Sequence, residues 1–287
     1  MEKKTCLITG ATSGIGKAAA LALGRKGYSL ILTGRNSVRG SKISDTIKRR
    51  FQNPDVQFFP ADISSIKDVL SLTEKLKSQY SCIDVLINNA GARFDDYKKS
   101  LDGIELTFAT NYLGPFVLTN QLLSLLEKSS SGRIVNVSSS AHGSQSNDFS
   151  QAAHPAHYNR KIAYGKSKLA NILFTYELSE KLKDKRISVN AVDPGGVLTS
   201  LGRNNGIIPW IKHILYYVSR RSLISPGKGA ETIIYLADSP EMEGISGKYF
   251  YKKQEIKSSK ESYDKEAAVK LWDRSLSLCG IRDFTTK

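Results

Sequence analysis

The sequence predicts a doubly wound, three-layered α/β fold built on a parallel sheet of seven strands. Three observations predict it. Short β-branched runs alternate with helical stretches from the first residues onward, the pattern of βαβ units whose strands are buried on both faces. A glycine-rich turn follows the first strand and opens the first helix. At 287 residues and 40% hydrophobic, the chain is long enough to bury such a sheet between two helical layers.

The elements follow in order. Thr5–Thr9 (TCLIT) is an apolar run that stops at glycine, and Ile15–Lys26 has helical spacing. Tyr28–Thr33 is the second strand and Val38–Phe51 the second helix. Val56–Phe59, Val85–Ile87, Ile134–Val137 and Ile187–Val192 are the next four strands, and Lys248–Tyr251 is the seventh. A long helix covers Tyr158–Leu182. No linker, repeat or low-complexity block interrupts the pattern, so residues 1–287 are expected to form a single domain. One segment breaks the rhythm. Residues 198–225 separate the sixth strand from a helix with Ser225 as N-cap and Pro226 at its first position. Insertions after a strand's C-terminal end lie over the ligand crevice of such sheets, so 198–225 is expected to be a small substrate-binding lid.

Composition narrows the function classes. No apolar run is long enough to span a bilayer and no secretory leader precedes the first strand, so a cytoplasmic chain is expected. Cys6, Cys82 and Cys279 are widely spaced and form no disulfide framework. His142, His154, His157 and His213 lack ligand spacing, so no metal is expected. Lys and Arg number 42 against 27 Asp and Glu, a net charge of +15. That field attracts anions: a phosphorylated cofactor, an anionic membrane surface or nucleic acid. The positive charges are scattered and no nucleic-acid motif is present, which makes nucleic acid the weakest of the three. A solvated basic surface without a partner is the plain alternative.

The turn Thr9-Gly10-Ala11-Thr12-Ser13-Gly14-Ile15-Gly16 is built for phosphate. Glycines allow positive φ in a tight turn and let the backbone approach a pyrophosphate at the positive end of the helix. Gly10, Thr12, Ser13, Gly14, Ile15 and Gly16 are therefore candidate cofactor contacts. After the second strand, an acid would bind a ribose 2′-hydroxyl and repel a 2′-phosphate. Here Gly34 holds that place, followed by Arg35 and Asn36, which favours NADP(H). On the long helix Tyr164 and Lys168 stand four apart and share a face. A phenol titrates near ~10, and a neighbouring ammonium lowers that toward neutrality. The pair can therefore move a proton at an alcohol oxygen.

The T-G-x-x-x-G-x-G turn, Asn88-Asn89-Ala90-Gly91, Asn136-Val137-Ser138-Ser139, Tyr164-x-x-x-Lys168 and Pro194-Gly195-Gly196-Val197-Leu198-Thr199 together resemble the short-chain dehydrogenase/reductase superfamily, which has a Rossmann sheet. Ala141-His142, the run Ser167–Phe174 and Leu271-Trp272 resemble its retinol dehydrogenase-like branch, and the similarity spans essentially the whole chain. The resemblance implies hydride transfer between a nicotinamide cofactor and a carbonyl or alcohol. It makes Asn111, Ser139, Tyr164 and Lys168 the catalytic set. Ser139 would bond the substrate oxygen, with Ser138 and Ser140 as neighbouring alternatives, and Asn111 would hold a water in a relay to the lysine. It assigns Asp62 and Ile63 to adenine, adds Asn89, Ala90 and Gly91 to the cofactor site, and gives the carboxamide of nicotinamide to Pro194, Gly195, Val197 and Thr199. Tyr164 and Lys168 would touch the cofactor as well. Many members pair as homodimers through the helices carrying Asn111 and Tyr164.

The lid sequence Ile207–Val218 is dense in large apolar side chains, which favours a small lipophilic carbonyl or alcohol substrate. Packing on the body of the protein, or peripheral membrane contact aided by Arg220 and Arg221, are its other readings. The rival function is a non-catalytic NADP-binding regulatory protein on the same fold.

Overall fold

The computed structural model describes residues 3–197 and 223–285. Its strands are β1 (Thr5–Thr9), β2 (Ser29–Gly34), β3 (Val56–Pro60), β4 (Val85–Asn88), β5 (Gly132–Val137), β6 (Ile187–Asp193), β7 (Lys248–Tyr251) and β8 (Gln254–Glu255). They form one sheet in the order β3-β2-β1-β4-β5-β6-β7-β8. All neighbours are parallel except β7 and β8. The expected count of seven is thus corrected to eight. β8 is two residues long and closes a hairpin through Lys252 and Lys253, which both take positive φ (50° and 64°). Two residues carry no periodicity, so nothing in the sequence marks them as a strand.

Alternation along each strand divides the core between two faces. Cys6, Ile8, Leu30, Leu32, Val85, Ile87 and Val135 face α1 (Gly14–Arg25), α2 (Ser37–Phe51) and α7 (Pro226–Asp238). Leu7, Ile31, Leu86, Ile134 and Val189 face α3 (Ile66–Gln79), the single-turn α4 (Leu106–Phe108), α5 (Gly114–Leu126), α6 (Arg160–Lys181) and α8 (Lys265–Cys279). Ser225 accepts the Lys228 N–H and starts α7 with proline in the first turn, as the sequence predicts. Asn159 accepts the Lys161 and Ile162 N–H groups, so α6 begins at Arg160, two residues later than expected.

α8 packs on α6 and reaches α5 through Trp272. Its Trp272 is 2% exposed, with ring centroids 5.0 Å from Phe116 and 5.8 Å from Phe174. Tyr112 and Ser275 share a hydrogen bond of 2.8 Å beneath it. Among the described residues no helix is long and apolar enough to cross a membrane.

The strand order turns around between β1 and β4. There the β1 helix leaves one face and the β4 connection the other, which opens a crevice at the strands' C-terminal ends.

Candidate active site

A cavity of about 460 Å³ occupies that crevice, lined from the ends of β1 through β6. Its floor at the switch point is a polar staple. Thr9 Oγ1 accepts the Asn89 and Ala90 N–H groups (3.0 and 2.9 Å), and Asn89 Nδ2 donates to the Thr9 carbonyl at 2.9 Å. The glycine turn closes over this staple. Gly10 has φ of +66°, and a Cβ there would lie 2.9 Å from Ala90 Cα. A Cβ on Gly16 would lie 2.5 Å from the Gly10 carbonyl oxygen and closer still to Asn89 Nδ2. Both positions exclude any side chain.

The predicted cofactor residues converge here. Gly10, Thr12, Ser13, Gly14, Ile15, Arg35, Asn36, Asp62, Ile63, Asn89, Ala90, Gly91, Pro194, Gly195 and Val197 all line the cavity. Gly16 lies behind it, packed on Gly10. Ser13 is the N-cap residue of α1 but makes no side-chain capping bond. Asn36 is spent on structure: its Oδ1 accepts the Arg39 N–H at 2.8 Å and caps α2. Asp62 Oδ1 accepts both the N–H and the hydroxyl of Ser64, at 3.0 and 2.8 Å. Thr199 and residues 198–222 of the expected lid lie outside the described residues.

The reacting side of the cavity belongs to β5 and α6. Tyr164 is half-buried and lines it. Lys168 is 4% exposed, its Nζ 5.6 Å from the Tyr164 ring centroid, and it donates to the Val137 carbonyl at 2.9 Å. Burial pushes this ammonium down to about 8, against an opposing pull from Asp193. The three serines separate by their bonds. Ser138 is buried and gives its hydroxyl to the Lys168 carbonyl at 2.8 Å. Ser140 is exposed and does not line the cavity. Ser139 lines the cavity, its Oγ accepting only a long 3.3 Å bond from the Ala141 N–H at the start of a 3₁₀ turn, Ser140–Ser144.

Asn111 stands behind the cavity rather than in it. It lies in a π-helical turn, Ala109–Leu113, just before α5, the kind of irregularity that marks functional sites. Its Oδ1 accepts the Ala92 N–H at 2.7 Å, and its Nδ2 donates to the Ala92 carbonyl and to Ser167 Oγ, both at 2.9 Å. A Cβ on Gly91 would lie 3.5 Å from Asn111 Oδ1 and 3.7 Å from Lys168 Nζ, in ordinary contact with both, so this loop passes directly beside the two side chains.

Several residues at or behind the site have no role assigned from the sequence. Arg39 lines the cavity one helical turn past Arg35, and both are exposed. Phe94 and Ala92 form an apolar wall, tied by the hydroxyl of Tyr158, just before α6, on the Phe94 carbonyl (2.7 Å) and to the first residue of α6 by an Arg160–Asp95 ion pair (2.9 Å). His142 accepts the Ser259 N–H at Nε2 (3.0 Å), so its Nδ1–H donates to the Ser139 carbonyl at 2.7 Å. A spacing of one turn from Arg35 was the available signal for Arg39. Phe94 and His142 depend on long-range contacts.

The family model for short chain dehydrogenase matches residues 4–206. Human retinol dehydrogenase 14 is 38% identical, covering 98% of this chain and 88% of its own length. Human polyprenol dehydrogenase is 35% identical, covering 98% and 87%. Among solved structures, a protein from Mycobacterium paratuberculosis superposes with a TM-score of 0.77 at 28% identity, over 98% of this chain and 94% of that one. The Pseudomonas aeruginosa RhlG/NADP active-site complex gives 0.68 at 25%, over 86% and 93%. Agreement over this much of the chain means that it belongs to the short-chain dehydrogenase family, on the retinol dehydrogenase-like branch, and is an oxidoreductase that works on a carbonyl or alcohol with a nicotinamide cofactor.

Proposed function

We propose that the protein is an NADP(H)-dependent oxidoreductase that interconverts a lipophilic aldehyde or ketone and its alcohol, with Tyr164 as the proton-transfer residue. The observation that carries the reading is the buried Lys168 ammonium beside the Tyr164 ring, at the wall of a cavity the glycine turn helps to form. A dinucleotide fits that cavity. The approaches at Gly10 and Gly16 that no side chain could occupy are those a pyrophosphate-binding turn requires. Residues 10–16 and 89–91 would hold the pyrophosphate and adjoining ribose, Asp62 and Ile63 the adenine, and Pro194, Gly195, Val197 and Thr199 the carboxamide. When bound, the nicotinamide supplies or receives the hydride.

The chain's own residues do the rest. Ser139 and Tyr164 hydrogen-bond the carbonyl oxygen and stabilise its developing charge. Tyr164 gives that oxygen its proton, and the Lys168 ammonium keeps the phenol able to release it. Lys168 exchanges with solvent along the Gly91–Ala92 loop that Asn111 fixes. Arg35 reads the 2′-phosphate, supported by Arg39 on the same rim. RhlG, a relative in structure, is seen with NADP. The apolar wall of Ala92 and Phe94 favours a lipophilic substrate, in keeping with relatives named for retinol and polyprenol. The enzyme is cytoplasmic in this reading, and its +15 field brings it to anionic surfaces that hold such substrates. Homodimerisation through α5 and α6, the pairing the family resemblance implies, would take place beside the Trp272 contacts of α8.

The test is NADPH oxidation against aldehydes and ketones graded by chain length. Turnover should rise with chain length and require NADPH over NADH. No turnover on any member of the panel, with NADPH bound, would return the chain to a non-catalytic role.

A further inference from the structure

Asp193 is the last residue of β6 and 7% exposed, set behind the cavity where two of its walls meet. Its Oδ2 accepts the Ser140 N–H and its Oδ1 the Gly195 N–H, both at 2.8 Å. Ser140 follows Ser139, and Gly195, with φ of +81°, follows Pro194 in the opposite wall. One carboxylate therefore fastens the serine segment to the Pro194–Gly195 loop. Both its oxygens accept, which neutral asparagine cannot reproduce, since one of its two atoms is a donor.

Asp193 also bears on the groups around it. From α6, Lys168 lies within its electrostatic reach, and Tyr164 lies beside Lys168. From β7, Tyr251 pairs with Asp193 in register, and the buried Tyr249 phenol is raised by desolvation and by this carboxylate. From the 3₁₀ turn, His142 packs edge-on against Tyr249 with centroids 5.2 Å apart. Lys168 is the cation of this set, and Asp193 supports its charged form against burial.

We propose that Asp193 is a positioning residue with an electrostatic role: its carboxylate holds the Ser139 segment against the Pro194–Gly195 loop and places a negative charge within reach of the Lys168 ammonium beside Tyr164. This rests on the reading of Tyr164 and Lys168 given above. The sign is fixed by elementary electrostatics. Removing a negative charge lowers the pKa of every acid near it, ammonium and phenol alike.

The experiment reads Tyr164 directly. Phenolate ultraviolet absorbance is titrated in the full chain, and the Tyr164 signal is taken as the difference from Tyr164→Phe in each background. Asp193→Asn should move that midpoint to lower pH by about one unit. Asp193→Glu keeps the charge and should leave it within a few tenths of a unit, while lowering turnover by about tenfold through displaced walls. Asp193→Ser is measured in parallel as a neutral variant with no amide donor, and circular dichroism checks that each is folded. In turnover, the alkaline limb of the reduction profile should move the same way in both neutral variants. An unmoved midpoint in both overturns the inference, even if turnover falls, because a merely structural bracket lowers the rate without shifting titration. A shifted midpoint in a protein that reduces no carbonyl supports the Asp193 role and removes the proposed function instead.

Discussion

The two halves of the crevice are built differently. Along β1 to β4 the cavity is lined by backbone, glycine and exposed cations, and apart from the Thr9–Asn89 staple the polar side chains there bond near neighbours in sequence: Asn36 to Arg39, Asp62 to Ser64. Along β5, β6 and α6 the polar side chains are buried and bonded across elements: Ser138 to Lys168, Lys168 to Val137, Asn111 to Ser167. The difference follows from what each half must do. A dinucleotide brings its own charge and needs donors and space. A proton transfer needs a cation held out of water beside a phenol, and that charge must be supported on every side.

The contrast is broken most directly at Tyr164. Tyr164→Phe should leave NADPH binding, read by fluorescence quenching, within about twofold of wild type. It should lower turnover by about 10³-fold, the scale of a lost general acid. Turnover within tenfold of wild type would mean that the reacting half lies elsewhere. Ser139→Ala is expected next, at about 10²-fold in turnover with cofactor affinity unchanged. Ser138→Ala should show the other behaviour. It leaves the buried Lys168 carbonyl without its hydroxyl, so it should cost about 1–2 kcal/mol in denaturant unfolding and act on turnover only indirectly. Equal turnover losses in the two variants would erase the distinction between them.

The same contrast explains what the sequence makes legible. The cofactor half is readable because glycines are sparse and their spacing is dictated by local geometry: Gly10, Gly14 and Gly16 sit within one turn. Tyr164 and Lys168 are readable because helical spacing alone puts them together. The doubly wound parallel sheet is readable in the same way, from strands that alternate with helices. What was not legible depends on contacts between distant segments. Asp193 meets Ser140 across 53 positions, and His142 meets Ser259 across 117. No local pattern encodes either. Asn111 was found by resemblance, but its place behind Gly91 required the fold. The eighth strand was too short to have a period, and the packing of Trp272 against α5 and α6 depends on where the C-terminal helix folds back.

Lys168 tests the reacting half for stability rather than rate. Its ammonium sits at about 8 in the folded chain, below its ordinary value near ~10.4 when unfolded. Below about pH 8 both states are protonated, and the folded state bears the full penalty of a buried charge. Between about 8 and 10 the unfolded chain binds more protons, so this group makes stability rise with pH. Lys168→Met should therefore be inactive yet more stable at pH 7, by about 2 kcal/mol after its hydrogen bond is lost. The advantage should disappear above about pH 10. Urea unfolding across that range measures it, and a variant less stable than wild type at pH 7 would show that Lys168 is held by more than function.

Arg35 carries the smallest expected effect, because the cofactor half works with exposed groups. Arg35→Asp replaces the cation just after β2 with an acid, one residue past the place where an acid would accept a bond from a ribose 2′-hydroxyl. Preference for NADPH over NADH, as a ratio of kcat/KM, should fall by about tenfold, since solvent screens charges at this rim. Arg39→Ala should give a further loss of similar size only if both cations face one phosphate, in which case the double variant falls short of the product of the singles. Raising the salt concentration should shrink both effects and leave the loss in Tyr164→Phe unchanged. A salt-insensitive Arg35 effect would mean that the cofactor half, too, relies on a desolvated charge.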